Sequence, residues 1–155
     1  EECYTLAMLL QDYKDQGGWL PSFSIVGTDI SEQALAVAQK GRYPVRELEN
    51  IPALWQQKYL SMDEAGTSFD IGRAIREKVR FQRMNLLKPS VGLGQYDLVL
   101  CRNVMIYFNE ESRKKLIEKL YRALKPGGYL FVGHTELLPR NHELFEYVCP
   151  AVYRK

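Results

Sequence analysis

The sequence predicts an α/β fold, in which a doubly wound, mostly parallel β-sheet has helices between its strands. The main observation is a continuous apolar run at 96–101, followed at once by the polar residues Arg102 and Asn103. A strand buried on both faces needs such a run, and parallel sheets covered by helices usually contain such strands. The second observation is an amphipathic helix at 112–124 followed by another apolar run at 129–133. A strand, a helix and a strand in this order predict a parallel pair.

The amino-terminal part adds a helix, a strand and a second helix. Apolar residues at helical spacing predict a helix over 2–16, which a Gly-Gly pair ends. A short strand follows at 24–30 and carries Asp29 near its end. Ser31 then caps the second helix, and Gly41 stops it.

Strand–helix alternation breaks down at 43–82, which we interpret as an inserted subdomain. A short helix begins near Ile51. A polar loop at 63–68 and a charged segment at 75–81 with partial period-two alternation then indicate a small β-hairpin outside the main sheet.

The chain ends with two predicted strands, at 145–148 and 151–154, joined through a Cys-Pro dipeptide. We expect them to form an antiparallel pair at the edge of the sheet. The prediction is therefore one domain, residues 1–155, with the insertion at 43–82.

The composition excludes several functional classes. At 155 residues the chain is long enough for one domain with a buried core. Its net charge of +2 does not indicate nucleic-acid binding, and no apolar run is long enough for membrane insertion. The three cysteines are scattered, without a Cys-x-x-Cys pair or a histidine cluster, so neither a metal site nor a disulfide framework is predicted. This cysteine usage fits a reducing cytoplasm.

Polar residues lie where predicted strands end, and open α/β sheets bind their ligands at such ends. An acid such as Asp29 can there accept hydrogen bonds from both hydroxyls of a ribose. Asn85 and Leu86 could present an amide to the edge of an adenine and an apolar side chain to its face. The other candidates follow the runs at 96–101 and 129–133, and are Arg102, Asn103, Tyr107, His134 and Glu136.

Each candidate also has a purely structural interpretation. Asp29 could be a helix cap, and the pair at 85–86 a turn residue followed by a core leucine. The pair at 102–103 could be surface and capping residues, and Tyr107 a core aromatic residue. The histidine and the glutamate that follow the last parallel strand form no triad with a serine or cysteine nucleophile.

Taken together, the motifs resemble those of a known family, in the family's order from the first residue to the last. They are Glu1-Glu2-Cys3-Tyr4-Thr5-Leu6-Ala7, Asn85-Leu86-Leu87, Cys101-Arg102-Asn103-Val104-Met105-Ile106-Tyr107-Phe108, Leu124-Lys125-Pro126-Gly127-Gly128 and Gly133-His134-Thr135-Glu136. The run at 101–108 is the most specific, whereas the Lys-Pro-Gly-Gly turn is shared by many methyltransferases. The chain is similar to the chemotaxis-receptor methyltransferases (CheR), which are S-adenosylmethionine-dependent protein-glutamate O-methyltransferases with a Rossmann-like class I methyltransferase sheet.

This resemblance implies S-adenosyl-L-methionine as the cofactor and S-adenosyl-L-homocysteine as the product. It implies methyl transfer to glutamate side chains on the cytoplasmic helices of chemoreceptors, giving methyl esters in chemotactic adaptation. The implied cofactor-binding residues are Glu2 near the methionine end, Asp29 at the ribose, Asn85 and Leu86 at the adenine, and Arg102 and Asn103 at the fourth strand.

The resemblance also implies a catalytic residue and a substrate mouth. Tyr107 matches the tyrosine beside the transferring methyl group. His134 and Glu136 are expected to line the mouth of the same site.

The family pattern begins before residue 1, with a helical domain and a first strand that runs into a glycine-rich turn. We therefore expect an amino-terminally truncated methyltransferase domain, which alone transfers no methyl group and binds S-adenosylmethionine poorly. In some members, the subdomain that matches 43–82 captures a receptor-tail peptide as an additional strand. Here its tip at 63–71 is short and lacks the glycine-rich pattern of those members, so we expect no receptor-tail binding.

Two alternatives differ in function. A methyltransferase of this fold could act on another substrate, or the chain could be a non-catalytic protein-interaction module. Under the leading interpretation the protein is cytoplasmic and has no nucleic-acid partner.

Overall fold

A computed structural model describes residues 1–88 and 94–155, and it divides the chain into two compact units, Glu1–Asn85 and Leu86–Lys155. The elements of the first unit, in chain order, are α1 (Glu2–Asp15), β1 (Ile25–Asp29), α2 (Glu32–Lys40), β2 (Arg42–Pro44), a 3-10 helix (Val45–Asn50), α3 (Ala53–Tyr59), β3 (Leu60–Met62), β4 (Ser68–Ile71), α4 (Arg73–Arg76) and β5 (Val79–Arg83).

Strands β1 and β5 form a parallel pair, in register from Ile25 opposite Val79 to the strand ends. Gly27 lies in the middle of β1, where a Cβ would stand 2.7 Å from the ring of Phe81 and 2.9 Å from the sulfur of Cys3. A glycine is therefore required for the close approach of α1 to this pair.

Local signals place the ends of α2 as the sequence predicts. The Ser31 hydroxyl accepts a hydrogen bond from the N–H of Ala34, which satisfies a main-chain donor that the first turn leaves unpaired. Gly41 ends the helix with φ +62°, in the left-handed region that glycine adopts without strain.

The insertion forms a three-stranded antiparallel sheet in the order β2-β4-β3. The loop between β3 and β4 is closed by Asp63. Hydrogen bonds from the hydroxyl and N–H of Ser68, joined by those of Thr67, lower the pKa of Asp63 to about 2. The hairpin in this sheet is therefore β3–β4.

The expected hairpin is thus present around the loop at 63–68, but the expectation that the segment 75–81 belongs to it is wrong. Ile75 lies in the short helix α4 and is buried, and the segment from Val79 belongs to β5, which pairs in parallel with β1. A charged strand with alternating apolar residues has the same sequence pattern in a hairpin and in a parallel pair. The pattern alone therefore could not identify the partner strand.

One hydrophobic core joins α1 to the inserted sheet. It contains the buried residues Tyr4, Ala7, Met8, Tyr43, Tyr59, Phe69, Ile71, Ile75 and Val79. A polar contact supports the same packing, since the Lys58 ammonium of α3 lies 2.6 Å from Asp15 and 3.3 Å from Asp12 on α1.

The elements of the second unit are β6 (Tyr96–Cys101), a 3-10 helix (Met105–Tyr107), α5 (Glu110–Ala123), β7 (Leu124–Val132), β8 (Glu146–Cys149) and β9 (Val152–Arg154). Its sheet has the order β6-β7-β9-β8, with β6 and β7 parallel and the last two strands antiparallel. The βαβ order of β6, α5 and β7 and the antiparallel C-terminal pair are confirmed.

Helix α5 covers one face of this sheet through Leu116, Ile117 and Leu120. Its first turn is capped by Asn109, whose side-chain oxygen accepts the N–H of Ser112 over 2.9 Å. Beyond its last turn, the Lys155 ammonium donates to two main-chain carbonyls over 2.7 and 2.8 Å.

The fold class is confirmed as α/β, with parallel strand pairs and an antiparallel pair at the carboxyl end. Within the described residues, no helix is both long enough and apolar enough to cross a membrane.

Candidate active site

In the first unit, the acid and the amide expected at the adenosine lie at the ends of neighbouring strands. Asp29 ends β1 opposite Arg83, which ends β5, and Asn85 follows two positions later. The Met84 N–H donates to the main-chain oxygen of Asp29 over 2.9 Å, so the pairing extends beyond β5. Parallel pairing therefore brings Asp29 and the segment that leads to Asn85 to the same edge.

The Asp29 carboxylate has a structural role at the turn into α2. Its Oδ1 accepts the N–H of Ser31 over 2.8 Å. The side chain is exposed, and Oδ2 accepts no hydrogen bond from the part of the chain that the structure describes. Asp29 is therefore not the helix cap, which is Ser31, but one of its oxygens holds the capping residue and the other is left to solvent.

In the second unit, the polar cluster lies on the loop 102–108 between β6 and α5. Met105 is buried in the core, whereas Arg102 and Asn103 are exposed, and Tyr107 is 80% exposed. Asn103 has φ +58°, a left-handed conformation that asparagine tolerates better than most residues.

This loop is held from beneath by Glu136, which lies three residues after the turn residue Gly133 and is only 1% exposed. The carboxylate accepts hydrogen bonds from five main-chain N–H groups, those of Asn103 (2.7 Å), Val104 (2.8 Å), Met105 (2.6 Å), Ile106 (3.2 Å) and Gly133 (3.1 Å).

Burial by itself raises the pKa of Glu136, because a charge is costly away from water. The N–H groups of the loop more than offset this effect, and the pKa of Glu136 lies below its usual value of 4.5. The carboxylate is therefore ionised at neutral pH.

The neighbouring thiol of Cys101 is not a candidate nucleophile. Burial, reinforced by the negative charge of Glu136, raises the pKa of Cys101 to about 12. A thiol must ionise to react, so this cysteine is an inert core residue.

The expectation that Glu136 lines a substrate mouth is wrong, because its side chain is buried and both of its oxygens accept main-chain N–H groups. His134, two residues earlier, is exposed. The parallel register of Cys101 with Val132 brings the loop after β6 and the turn after β7 to the same end of the sheet. Glu2 is exposed in the first turn of α1, in the other unit.

Sequence reasoning missed the roles of two residues that shape this site, Gly133 and Arg113. A Cβ at Gly133 would collide with Oε2 of Glu136, so the turn must have glycine there. The Arg113 guanidinium of α5 donates to the main-chain oxygens of Glu136 and Leu137, both over 3.1 Å. The only sequence signal was the glycine three residues before the glutamate.

Lys119 of α5 holds the segment that contains Leu86. Its ammonium donates to the main-chain oxygens of Leu86 (2.9 Å) and Lys88 (2.7 Å), and burial lowers the pKa of Lys119. Leu86 itself packs against the core of the second unit, so the core-leucine interpretation is correct for part of its side chain.

The residues present fit S-adenosylmethionine in the chemistry that they offer. The solvent-facing oxygen of Asp29 is an acceptor suited to a ribose hydroxyl. The exposed polar side chains of the loop 102–108 suit the charged methionine end. Within the described residues, no group of three or more His, Cys, Asp and Glu side chains could hold a metal ion.

Comparison with known proteins gives the same family over nearly the whole chain. Residues 1–153 match the model of the family described as CheR methyltransferase, SAM binding domain. A chemotaxis protein methyltransferase of Borreliella burgdorferi is 36% identical over 156 residues, which cover 100% of this chain and 54% of the relative. Chemotaxis protein methyltransferase 1 of Pseudomonas aeruginosa is 32% identical over 160 residues, which cover 99% of this chain and 58% of the relative.

A solved structure, that of PKMT2 from Rickettsia typhi, superposes with a TM-score of 0.45 at 18% identity, covering 70% of this chain and 16% of that chain. The chain spans little more than half the length of the two chemotaxis protein methyltransferases named above. With residues 1–153 matched and S-adenosylmethionine as the implied cofactor, the chain belongs to the CheR methyltransferase family, as its SAM-binding domain.

Proposed function

We propose that the protein transfers the methyl group of S-adenosylmethionine to glutamate carboxylates on the cytoplasmic helices of chemoreceptors. The products are glutamate methyl esters, made in chemotactic adaptation, and S-adenosylhomocysteine. The observation that carries the proposal is the family match over residues 1–153, which includes every candidate site residue. Because these receptor helices are cytoplasmic, we propose the same location for the protein.

When bound, S-adenosylmethionine would supply an electrophilic methyl carbon on a sulfonium: a carboxylate oxygen would bond to this carbon while the C–S bond breaks and its electron pair stays on sulfur. A glutamate carboxylate is already ionised at neutral pH, so no strong base is required. The protein must therefore position the carboxylate, exclude water and hold both groups in line, which can contribute about 7–11 kcal/mol to lowering the barrier.

We propose the cofactor-binding roles that the family resemblance implies, residue by residue. Asp29 binds the ribose hydroxyls through its exposed carboxylate. Residues after β5 bind the adenine. Residues of α1 and of the loop after β6 bind the methionine end. These residues are Asn85 and Leu86 for the adenine, and Glu2, Arg102 and Asn103 for the methionine end.

Tyr107 is the proposed catalytic residue, and it orients reacting groups rather than acting as a base. Its 80% exposed side chain on a loop anchored in the core supports this role. His134 is exposed at the same end of the sheet and is proposed to line the substrate mouth.

The test is transfer of a tritiated methyl group from S-adenosylmethionine to a receptor fragment by the full-length protein. A Tyr107→Phe variant should lose about tenfold or more in kcat with its fold intact, because the side chain is exposed. Tyr13→Phe, at another exposed tyrosine, is the matched control and should retain wild-type activity.

The outcome separates the three functions. Transfer to a different protein or a small molecule, with none to receptors, would favour a methyltransferase for another substrate. Binding to partners without any transfer by the full-length protein would favour a non-catalytic interaction module.

The insertion at 43–82 is proposed as a subdomain that does not bind receptor tails. The short loop between β3 and β4, closed by Asp63, supports this view. A pull-down with receptor-tail peptides should recover none of the protein, and clear retention would overturn the proposal.

A further inference from the structure

We propose that Glu136 is a positioning residue for methyl transfer, which acts by fixing the main chain of the loop 102–108 from beneath. The inference rests on the proposed function, because the loop carries Arg102, Asn103 and Tyr107. Glu136 itself touches neither cofactor nor substrate in this role.

The first argument is the direction of the main-chain N–H groups. Four consecutive N–H groups, from Asn103 to Ile106, converge on one carboxylate. Consecutive N–H groups point in one direction only in a specific local conformation, such as the left-handed Asn103 followed by a 3-10 turn. The carboxylate therefore selects one main-chain path for the loop.

The second argument is the chemistry of the acceptor. A carboxylate offers about four lone-pair positions and no donor, which suits a site surrounded only by N–H groups. A glutamine of the same size has one acceptor oxygen and would direct an NH2 group towards other donors. The site thus requires the charged group and not merely its volume.

The third argument is that Glu136, the anchor of the loop, is itself held in place by the turn and the strand that surround it. Gly133 leaves room for the carboxylate at the turn, since a Cβ there would collide with it. Arg113 donates to the main-chain oxygens of Glu136 and Leu137, and the N–H of Leu138 donates to the Tyr153 hydroxyl over 2.9 Å. The main chain around Glu136 is therefore fixed by side chains of α5 and β9, independently of the hydrogen bonds that the carboxylate accepts from the loop.

The experiment uses the full-length protein with Glu136→Gln, Glu136→Ala and the matched control Glu143→Gln, at an exposed glutamate of the same unit. Two properties are measured for each: hydrogen exchange of peptides that cover 102–108, and methyl transfer to a receptor fragment. In the wild type the amides of 103–106 should exchange slowly, although Asn103 and Ile106 are exposed.

For Glu136→Gln we expect faster exchange at 102–108, unchanged exchange in α5 and β7, and a loss of about 100-fold in kcat/KM. Addition of formate should restore part of the activity of Glu136→Ala, because formate can supply the missing carboxylate. Formamide, which also carries an NH2 donor, should not. The control Glu143→Gln should match the wild type in both measurements.

The two readouts separate failure of this inference from failure of the proposed function. If the wild type transfers no methyl group to receptors, the proposed function fails, while exchange at 103–106 still tests the anchor. Rapid exchange of these amides in the wild type would overturn the inference even if no variant folds. Loss of protection with unchanged kcat/KM would also overturn it, and the proposed function would stand.

Discussion

Two tyrosines show, at the scale of a single residue, how the same hydroxyl can weaken or strengthen a core. Both Tyr43 and Tyr153 are buried. The hydroxyl of Tyr153 donates to the main-chain oxygen of Leu138 over 2.8 Å and accepts its N–H. The Tyr43 hydroxyl has no hydrogen-bond partner among the described residues, and burial raises its pKa.

We therefore expect Tyr43→Phe to raise the free energy of unfolding by about 1 kcal/mol, because it removes a buried polar group that gains no hydrogen bond. The ring contacts with Tyr4 and Phe69 remain. Tyr153→Phe should instead lower the free energy of unfolding by about 1–2 kcal/mol. Urea denaturation of both variants is the measurement, and equal signs would contradict the prediction.

Gly133→Ala is expected to lower the free energy of unfolding by about 1–3 kcal/mol, because the added Cβ collides with the Glu136 carboxylate. Gly94→Ala is the control in the same unit, since a Cβ there meets nothing closer than 3.9 Å. Chemical denaturation compares the two. A Gly133→Ala protein as stable as the Gly94→Ala protein would show that the turn can shift at little cost.

At the scale of elements, the sequence predicts what local signals determine and misses what depends on distant partners. The cap at Ser31 and the stop at Gly41 are local, and both are confirmed. The segment 75–81 was wrongly assigned to the hairpin, because strand β5 pairs with β1, about fifty residues away along the chain. The burial of Glu136 was likewise invisible, because a glutamate after a turn is most often exposed.

The loop 102–108 should lose its anchor in acid. The pKa of Glu136 is lowered in the folded state, so its contribution is complete above the ordinary value of 4.5 and is lost as the pH falls below it. The unfolded chain then binds the proton that the folded chain resists. Cys101 does not titrate in this range, because its pKa is raised to about 12.

The free energy of unfolding of wild type and Glu136→Gln, measured in urea between pH 7 and pH 3.5, checks this prediction. The difference should be largest near neutral pH and should shrink below about pH 4.5, because other acids titrate equally in both proteins. A difference that stays constant down to pH 3.5 would mean that the carboxylate gains nothing from the loop.

At the scale of the whole molecule, ligand binding should raise the free energy of unfolding. S-adenosylhomocysteine at 100 times its Kd should raise the free energy of unfolding of the full-length protein by about 2.7 kcal/mol. Asp29→Asn should weaken binding about tenfold, which removes roughly 1.4 kcal/mol of this effect at the same ligand concentration.

This substitution spares the fold, because the asparagine oxygen can still accept the N–H of Ser31. Glu64→Gln, at an exposed glutamate of the β3–β4 loop, is the control. Thermal unfolding with and without ligand measures both variants, and an unchanged ligand effect in Asp29→Asn would exclude Asp29 from the ribose site.

The sequence was sufficient for the fold class and the family, because the apolar strands and the run at 101–108 carry dense, specific patterns. The expectation that these strands are buried on both faces is wrong, since Leu100 on β6 and Phe131 on β7 are exposed. It was insufficient for the roles within the second unit. Glu136 and Tyr107 both follow parallel strands, and only the structure distinguishes the buried anchor from the exposed side chain.

Within the loop 102–108, the Glu136 carboxylate hydrogen-bonds only to the main chain, and this determines which side chains of the loop can be replaced. The exposed side chain of Ile106 can change without altering the hydrogen bond to Glu136, since every residue but proline supplies the same N–H, whereas Asn103 is constrained by its left-handed conformation and Met105 by burial in the core. Substitutions at Ile106, with proline omitted, could therefore alter the chemistry of the loop while its shape is retained.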